Sequence, residues 1–329
     1  MADVYTTTGA VDYSQVAYDR LAYFAYRPEL YFDAAAEVQP TNQAMPGSSV
    51  VFTIQNDLAV AATPLSEVID VSAVALSDSQ VTVTLLEYGN AAITTAKLRG
   101  TAFIDVDTIV ANVVGFNAGV SIDTVARNVL QAGANVSYAL GTGSAQTSRG
   151  NVAATNTFGS HDIRLANAAL RRNNVPTFGG LYAGFINPDV SVDLREETGA
   201  AGWRQPHDYS APDNIWAGEI GAYEGVRFVE SPRAPIFANA GAGGAVAVYR
   251  TIFMGRQGLA KAWSIEDGNG AYPRVVQGPV VDKLRRFVPM GWYWLGGYGR
   301  FREAAIYAVE SSASIAPAGG GTDALPVDQ

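Results

Sequence analysis

Two arms of alternating residues, joined by a long insertion and lacking a core of their own, constrain this chain more than any other feature. Val50-Val51-Phe52-Thr53-Ile54-Gln55 and Gln80-Val81-Thr82-Val83-Thr84-Leu85 set apolar and polar side chains in turn, the pattern of strands with one covered face. Between them lie Ala62-Thr63-Pro64-Leu65-Ser66-Glu67 and a small-residue run ending near Asp78. The pattern predicts a long β-hairpin within residues 47–99. A lone two-stranded ribbon is at best marginally stable in water. Its apolar residues Phe52, Ile54, Val81, Val83 and Leu85, with Pro64 and Leu65 toward the tip, therefore need a covering surface. A second copy of the same chain is the economical one.

The 329 residues are 48% hydrophobic and 16% charged, which excludes a disordered chain and suffices for one large domain or two ordinary ones. So few charges fit an assembly that covers much of its surface, although a large monomer with a polar, uncharged surface has the same composition. The net charge of −9 excludes a protein held to nucleic acid by a broad basic face, yet suits a wall around nucleic acid. Lys97, Lys261 and Lys283 are the only lysines. The arginine bias suits planar ion pairs at contacts, and a GC-rich coding sequence explains it equally well. Without cysteine there is no disulfide framework and no thiolate chemistry. Met1-Ala2-Asp3-Val4-Tyr5 does not open a signal peptide. No apolar stretch approaches the roughly 18 residues of a membrane span, so synthesis in the cytoplasm is expected, with no membrane partner.

Residues 1–46 carry many aromatics and one short helical pattern from Asp12 to Phe24. The clearest helix spans 105–133, with Asp105 as its N-cap and Gly133 as its stop. Gly115 and Gly119 lie inside it, each costing about 1 kcal/mol relative to alanine, so a kink or break is expected there. Residues 141–160 have loop composition. A second helix is predicted from an N-cap at Ser160 to Arg172, with Ile163, Ala166, Asn167 and Leu170 on one face. A strand over 180–186 then meets Asn187-Pro188-Asp189, a turn that caps a short helix through Leu194. Further strands are expected at 225–230 and 246–253, around a flexible loop at 239–244. Segments 287–295 and 304–310 read as an antiparallel pair, and the tail after Ser314 as mobile.

Chemistry has few residues to stand on. His161 follows the expected cap, where a surface role is the default. His207 neighbours Asp208 in Gln-Pro-His-Asp-Tyr, a pairing far more often structural than catalytic. No serine sits in a Gly-x-Ser-x-Gly elbow. The glycines at 141–143 and 241–244 are not followed by Lys-Ser or Lys-Thr. No metal site, cofactor or enzyme activity is expected.

Three passages carry a family resemblance. They are Val60-Ala-Ala-Thr-Pro-Leu-Ser-Glu67 with Leu85-Leu-Glu-Tyr-Gly89, then Arg171-Arg-Asn-Asn-Val-Pro-Thr-Phe-Gly-Gly180 running into Ile186-Asn-Pro-Asp-Val-Ser-Val-Asp-Leu194, and Gly218 through Ser231. With the order of elements, they resemble major capsid proteins of tailed bacteriophages of the Hong Kong 97 type, in a branch related to the N4-like phages. The resemblance implies an α+β fold and a structural protein of the virion. It implies an N-terminal arm (1–46), an extension loop (47–99) lying across a neighbour, and a peripheral domain (100–186) with a spine helix at 105–133. An axial domain (187–280), peripheral return strands (281–314) and a flexible tail (315–329) complete it. It further implies homo-hexamers and pentamers, a portal protein, nonspecific double-stranded DNA inside, and assembly in the host cytoplasm. No scaffold-like charged helical segment precedes the hairpin, which points to a separate scaffolding protein or an already processed form. No lysine lies between Val50 and Ala96, so noncovalent contacts, aided by a cement or decoration protein, are expected in place of cross-links. A nanocompartment shell shares this architecture. A hydrolase using His207 and Asp208 and a surface adhesin are the competitors from other classes.

Overall fold

The computed structural model describes residues 31–38, 49–55, 58, 61–62, 64, 67, 70, 73–102, 106–197, 219–264, 271–277, 283–284 and 286–315. The expected helix at 12–24, the Asp105 cap, Leu65, the His207–Asp208 pair and the tail from 316 lie outside them.

In chain order the first strands are β1 (Glu37–Val38), β2 (Ser49–Gln55), β3 (Asp78–Thr84), β4 (Leu86–Thr95), β5 (Val136–Tyr138) and β6 (Tyr182–Ile186). Next come β7 (Glu219–Tyr223), β8 (Val226–Glu230), β9 (Ile236–Phe237) and β10 (Val248–Met254). The last are β11 (Leu259–Trp263), β12 (Arg274–Gln277), β13 (Phe287–Arg300) and β14 (Ile306–Ser311). The α-helices are α1 (Ala96–Thr101), α2 (Val106–Gln131), α3 (Ser160–Arg172) and α4 (Pro188–Glu196).

The strands form two sheets and a ribbon. One sheet runs β1-β11-β13-β12 with β4 also on β13, the other runs β5-β14-β10-β6-β8-β7 with β9 also on β10, and β2 pairs β3 alone. Sheet membership cuts across the boundaries expected at 186/187 and 280/281. The segments 287–295 and 304–310 are not partners: β13 pairs β4, β11 and β12, whereas β14 pairs β10 and β5. Local pattern identifies a strand but not its mate, and here each strand has better-matched mates far away in sequence.

Helix α2 is one uninterrupted element through Gly115 and Gly119, so the expected break is absent. A long helix tolerates the cost of two glycines when its face is packed, and tertiary burial outweighs propensity. Val114, Ala118, Ile122, Ala126 and Leu130 pack with Trp292, Trp294 and Tyr298 of β13. Phe185, Ile252 and Met254 of the second sheet close over the same cluster. By length and composition α2 is the one described helix able to cross a bilayer, which corrects the expectation that no such stretch exists. One face of it packs against both sheets, with fully buried Asp123 on that side.

On the far face of the second sheet, α3 and α4 cover a core of Phe158, Ile163, Leu170, Val190, Phe228, Phe253 and Val309. Helix α3 has the predicted extent, but its N-cap is Gly159. Asp162 reaches back to accept the Gly159 N–H at 3.1 Å, while the Ser160 hydroxyl donates to Glu197 at 2.7 Å. Helix α4 starts as expected, the Asn187 side chain accepting the Asp189 N–H at 3.0 Å with Pro188 in the first turn. The loop at 141–160 is tied down: fully buried Glu310 of β14 is held by Arg149 at 2.6 Å and Arg250 at 2.8 Å.

Candidate assembly surface

The ribbon has the predicted arms in full register, from Ser49↔Thr84 to Gln55↔Asp78. Alternation along β13 turns Val288, Trp292, Trp294 and Tyr298 toward α2, and Gly291, Leu295, Gly297 and Gly299 to the opposite face. The base of the ribbon lies on that opposite face. Val50, Phe52, Val83 and Leu85 are buried there with Ala260, Ala262 and Phe301, and Ile54 and Leu295 pack at the margin. Phe52 meets the Phe301 ring edge-on, centroids 5.7 Å apart.

This corrects the expectation that Phe52, Val83 and Leu85 await a neighbour. Phe52 and Val83 are each only 1% exposed, and their apolar surface is consumed within the chain. Ile54 and Val81 are half-buried, and Pro64 is exposed. Beyond the base the picture reverses: Leu58 is 55%, Val74 69% and Leu76 79% exposed. The far end carries the unsatisfied apolar surface, and Leu58, Val74 and Leu76 were not among the residues anticipated. Their signal was present, as apolar residues in a stretch with no other claim on them.

The same sheet face continues past the ribbon as an open groove of about 360 Å³ lined by Gly89, Ala91, Val276, Pro289, Gly291 and Trp292. Ile93 (61%) and Val276 (37%) stand exposed on this face, paired with Pro289 and Gly291 of β13.

Where the N-terminal segment enters, it is clamped to this chain's own core. The backbone N–H groups of Tyr31, Phe32 and Asp33 donate to Asp123 Oδ1 of α2 at 2.9, 2.7 and 3.4 Å. Asp123 Oδ2 faces Arg233 at 3.8 Å. Asp33 pairs with buried Lys261 at 2.6 Å and accepts the Tyr298 hydroxyl. Lys261 also lies 4.7 Å from the Tyr272 ring centroid and 5.7 Å from that of Trp294, so its charge is compensated on several sides. Burial pushes the Asp123 carboxyl above its ordinary range, against the pull of those N–H donors and Arg233. Burial, reinforced by Asp33, also pushes the Tyr298 phenol up. None of these residues was anticipated from sequence, because a lone Asp or Lys carries no periodic signal.

His161 is exposed beside an open cleft of about 450 Å³ that also holds Asp162, Asp193, Glu196 and Glu197. Three of these carboxylates have structural tasks. Asp162 accepts the Gly159 N–H, Glu197 the Ser160 N–H at 2.8 Å, and Asp193 the Ser314 N–H at 3.0 Å. Among the described residues no group of three His, Cys, Asp or Glu is placed to hold a metal.

A body of two sheets around a long helix, with a ribbon seated at one end and bare at the other, is built for association. The model of the family described as phage capsid protein matches residues 7–315. The chain belongs to that family. No curated protein matches it in sequence. The fold is similar to that of the capsid of Ralstonia phage GP4, at 17% identity and TM-score 0.73, covering 88% of this chain and 93% of that one. It is also similar to the capsid of cyanophage Pam1, at 15% identity and TM-score 0.64, covering 90% and 98%. The capsid of Helicobacter pylori bacteriophage KHP30 matches at 12% identity and TM-score 0.62, covering 88% and 93%. This capsid protein therefore has the α+β shell fold that the resemblance implied, and it is a structural protein of the virion. The nanocompartment and hydrolase readings gain no support from these matches.

Proposed function

We propose that this capsid protein forms hexamers and pentamers that close an icosahedral head around double-stranded DNA, held together without covalent cross-links and without enzymatic activity of its own. The observation that carries it is the bare far end of the ribbon, where Leu58, Val74 and Leu76 are exposed, while the described residues at its base are packed on its own body. The ribbon is the extension loop. The five-stranded sheet with α2 forms the peripheral domain, and the seven-stranded sheet with α3 and α4 the axial domain. The groove at Gly89, Ala91 and Gly291 supports the reading, since a small-residue floor receives a neighbour's ribbon. Contact sets of this kind bury about 2,000–5,000 Å², and many modest contacts add through avidity.

Contact with the genome is sparse, electrostatic and blind to sequence, a reading supported by the net charge of −9, which argues against a broad basic face. A separate scaffolding protein, a portal and a cement protein complete the set of partners, with assembly in the host cytoplasm. Gly115 and Gly119 offer bending points in α2 between capsomer types, and at Gly115 no described atom outside its own stretch of helix lies within 4 Å of where a Cβ would sit. Electron microscopy of the purified product, alone and with a scaffold, tests the whole reading. Closed shells of hexamers and pentamers support it, and a product that stays monomeric under both conditions overturns it.

A further inference from the structure

We propose that Gly297 and Gly299 act as positioning residues that fix the angle at which the ribbon leaves the subunit, so that the lever is aimed before assembly begins. The inference rests on the shell reading and adds to it where the ribbon's direction is set. In β13 these glycines stand directly opposite Ala262 and Ala260 of β11, making a floor of four small residues under the ribbon. A methyl at Gly297 would overlap the carbonyl oxygen of Thr84. At Gly299 it would lie 2.6 Å from Val83 Cγ2 and 3.7 Å from its Cβ. Glycine inside a strand weakens it and marks a place where another backbone approaches closely. Here the approaching backbone is the ribbon's own.

Close seating removes the play that longer side chains would leave, because interiors pack densely and transmit strain. The paired part of the ribbon spans seven residues per arm, at about 3.4 Å each. A small tilt at the seat is therefore enlarged at the bare end. The two glycines also differ in a useful way. Gly299 presses on a side chain that can be trimmed, whereas Gly297 presses on a backbone oxygen that cannot.

Because the chain has no cysteine, Gln80→Cys on the ribbon and Ala168→Cys on the exposed face of α3 can carry a single spin-label pair. In unassembled subunits the proposal expects one narrow distance distribution, unchanged in shells. A broad distribution in the unassembled protein overturns it, whether or not shells form. Gly299→Ala should shift that distribution and replace normal shells by open or wrongly sized ones in micrographs. Adding Val83→Ala to Gly299→Ala should restore both readouts, while Gly297→Ala should resist the same rescue. Shells of normal diameter from Gly299→Ala, or failure of the double variant to recover while Val83→Ala alone assembles, overturns the assignment. Should Gly299→Ala fail to fold, the label distances in the double variant against Val83→Ala alone still decide it. If the parent protein makes no shells at all, the shell reading fails, and the label distances judge the seat separately.

Discussion

The two ends of the ribbon meet opposite fates. At the base, alternation yields Phe52 and Val83, each 1% exposed, in a cluster made wholly by this chain. At the far end, Val74 and Leu76 are 69% and 79% exposed. Period-two alternation states that one face will be covered, but not by whom. The cover at the base comes from Phe301 and from small residues of β11 and β13, all remote from the ribbon in sequence. On the shell reading proposed above, assembly falls to the exposed described residues beyond the base, and the stability of the subunit to the buried base.

The anchored side of this comparison is tested most severely at the N-terminal clamp. Lys261→Met removes the partner of buried Asp33, leaving that carboxylate with the Tyr298 hydroxyl. Breaking a buried pair from one side costs about 3–5 kcal/mol. Denaturant unfolding of the subunit should show a loss of that size. A loss below 1 kcal/mol would mean that the segment at 31–38 is not part of the anchored body.

Phe52→Ala comes next, with an expected cost of about 3 kcal/mol, the lower end for a buried phenylalanine, because its cluster is small and lies at a margin. Sequence alone would expect a change at Phe52 to spare the subunit and harm only assembly. With Phe52 packed on Phe301, the subunit itself should weaken. Unchanged unfolding with lost shells would restore the earlier expectation and overturn the division between base and tip.

What was legible follows the range of the interaction. The ribbon's arms, the extent of α3 and the Asn187-Pro188 cap depend on neighbours a few residues away, and all are written locally. Strand β4 was not legible. Leu86-Glu-Tyr-Gly-Asn-Ala-Ala-Ile-Thr-Thr95 is mostly exposed and takes its form from ten paired residues of β13. The Ser160 cap was misplaced by one residue because Asp162 chose the Gly159 N–H. The seat did leave a trace, as Gly296-Gly297-Tyr298-Gly299 breaks a strand rich in aromatics. Its meaning needed the ribbon in place.

Acid gives a smaller and directional test of the clamp. Burial holds Asp123 above its ordinary value of 3.8, so between that value and its raised one the folded state binds more proton than the unfolded state. Stability from this group therefore grows as pH falls through that window, and it is constant below it. Against an Asp123→Asn control, the parent protein should gain melting temperature on acidification. A relative loss would mean that the N–H donors and Arg233 outweigh burial, making the clamp a latch that acid opens.

The smallest effect on the subunit, and the sharpest on the shell, is expected at the tip. Leu76→Asp adds charge to a side chain already 79% exposed, and such surface changes usually stay within about 0.5 kcal/mol. Unfolding of the free subunit should therefore match that of the parent. A shell contact would bury that carboxylate without a partner, at the desolvation cost of an unpaired charge. Repetition over every subunit multiplies the penalty, so closed shells should fail to form. Because Phe52→Ala weakens the subunit and Leu76→Asp spares it, comparing the two separates folding from assembly along one ribbon. Normal shells from Leu76→Asp would leave the bare end without a role, and the neighbour's contact would have to be sought at Ile93 and Val276 around the groove.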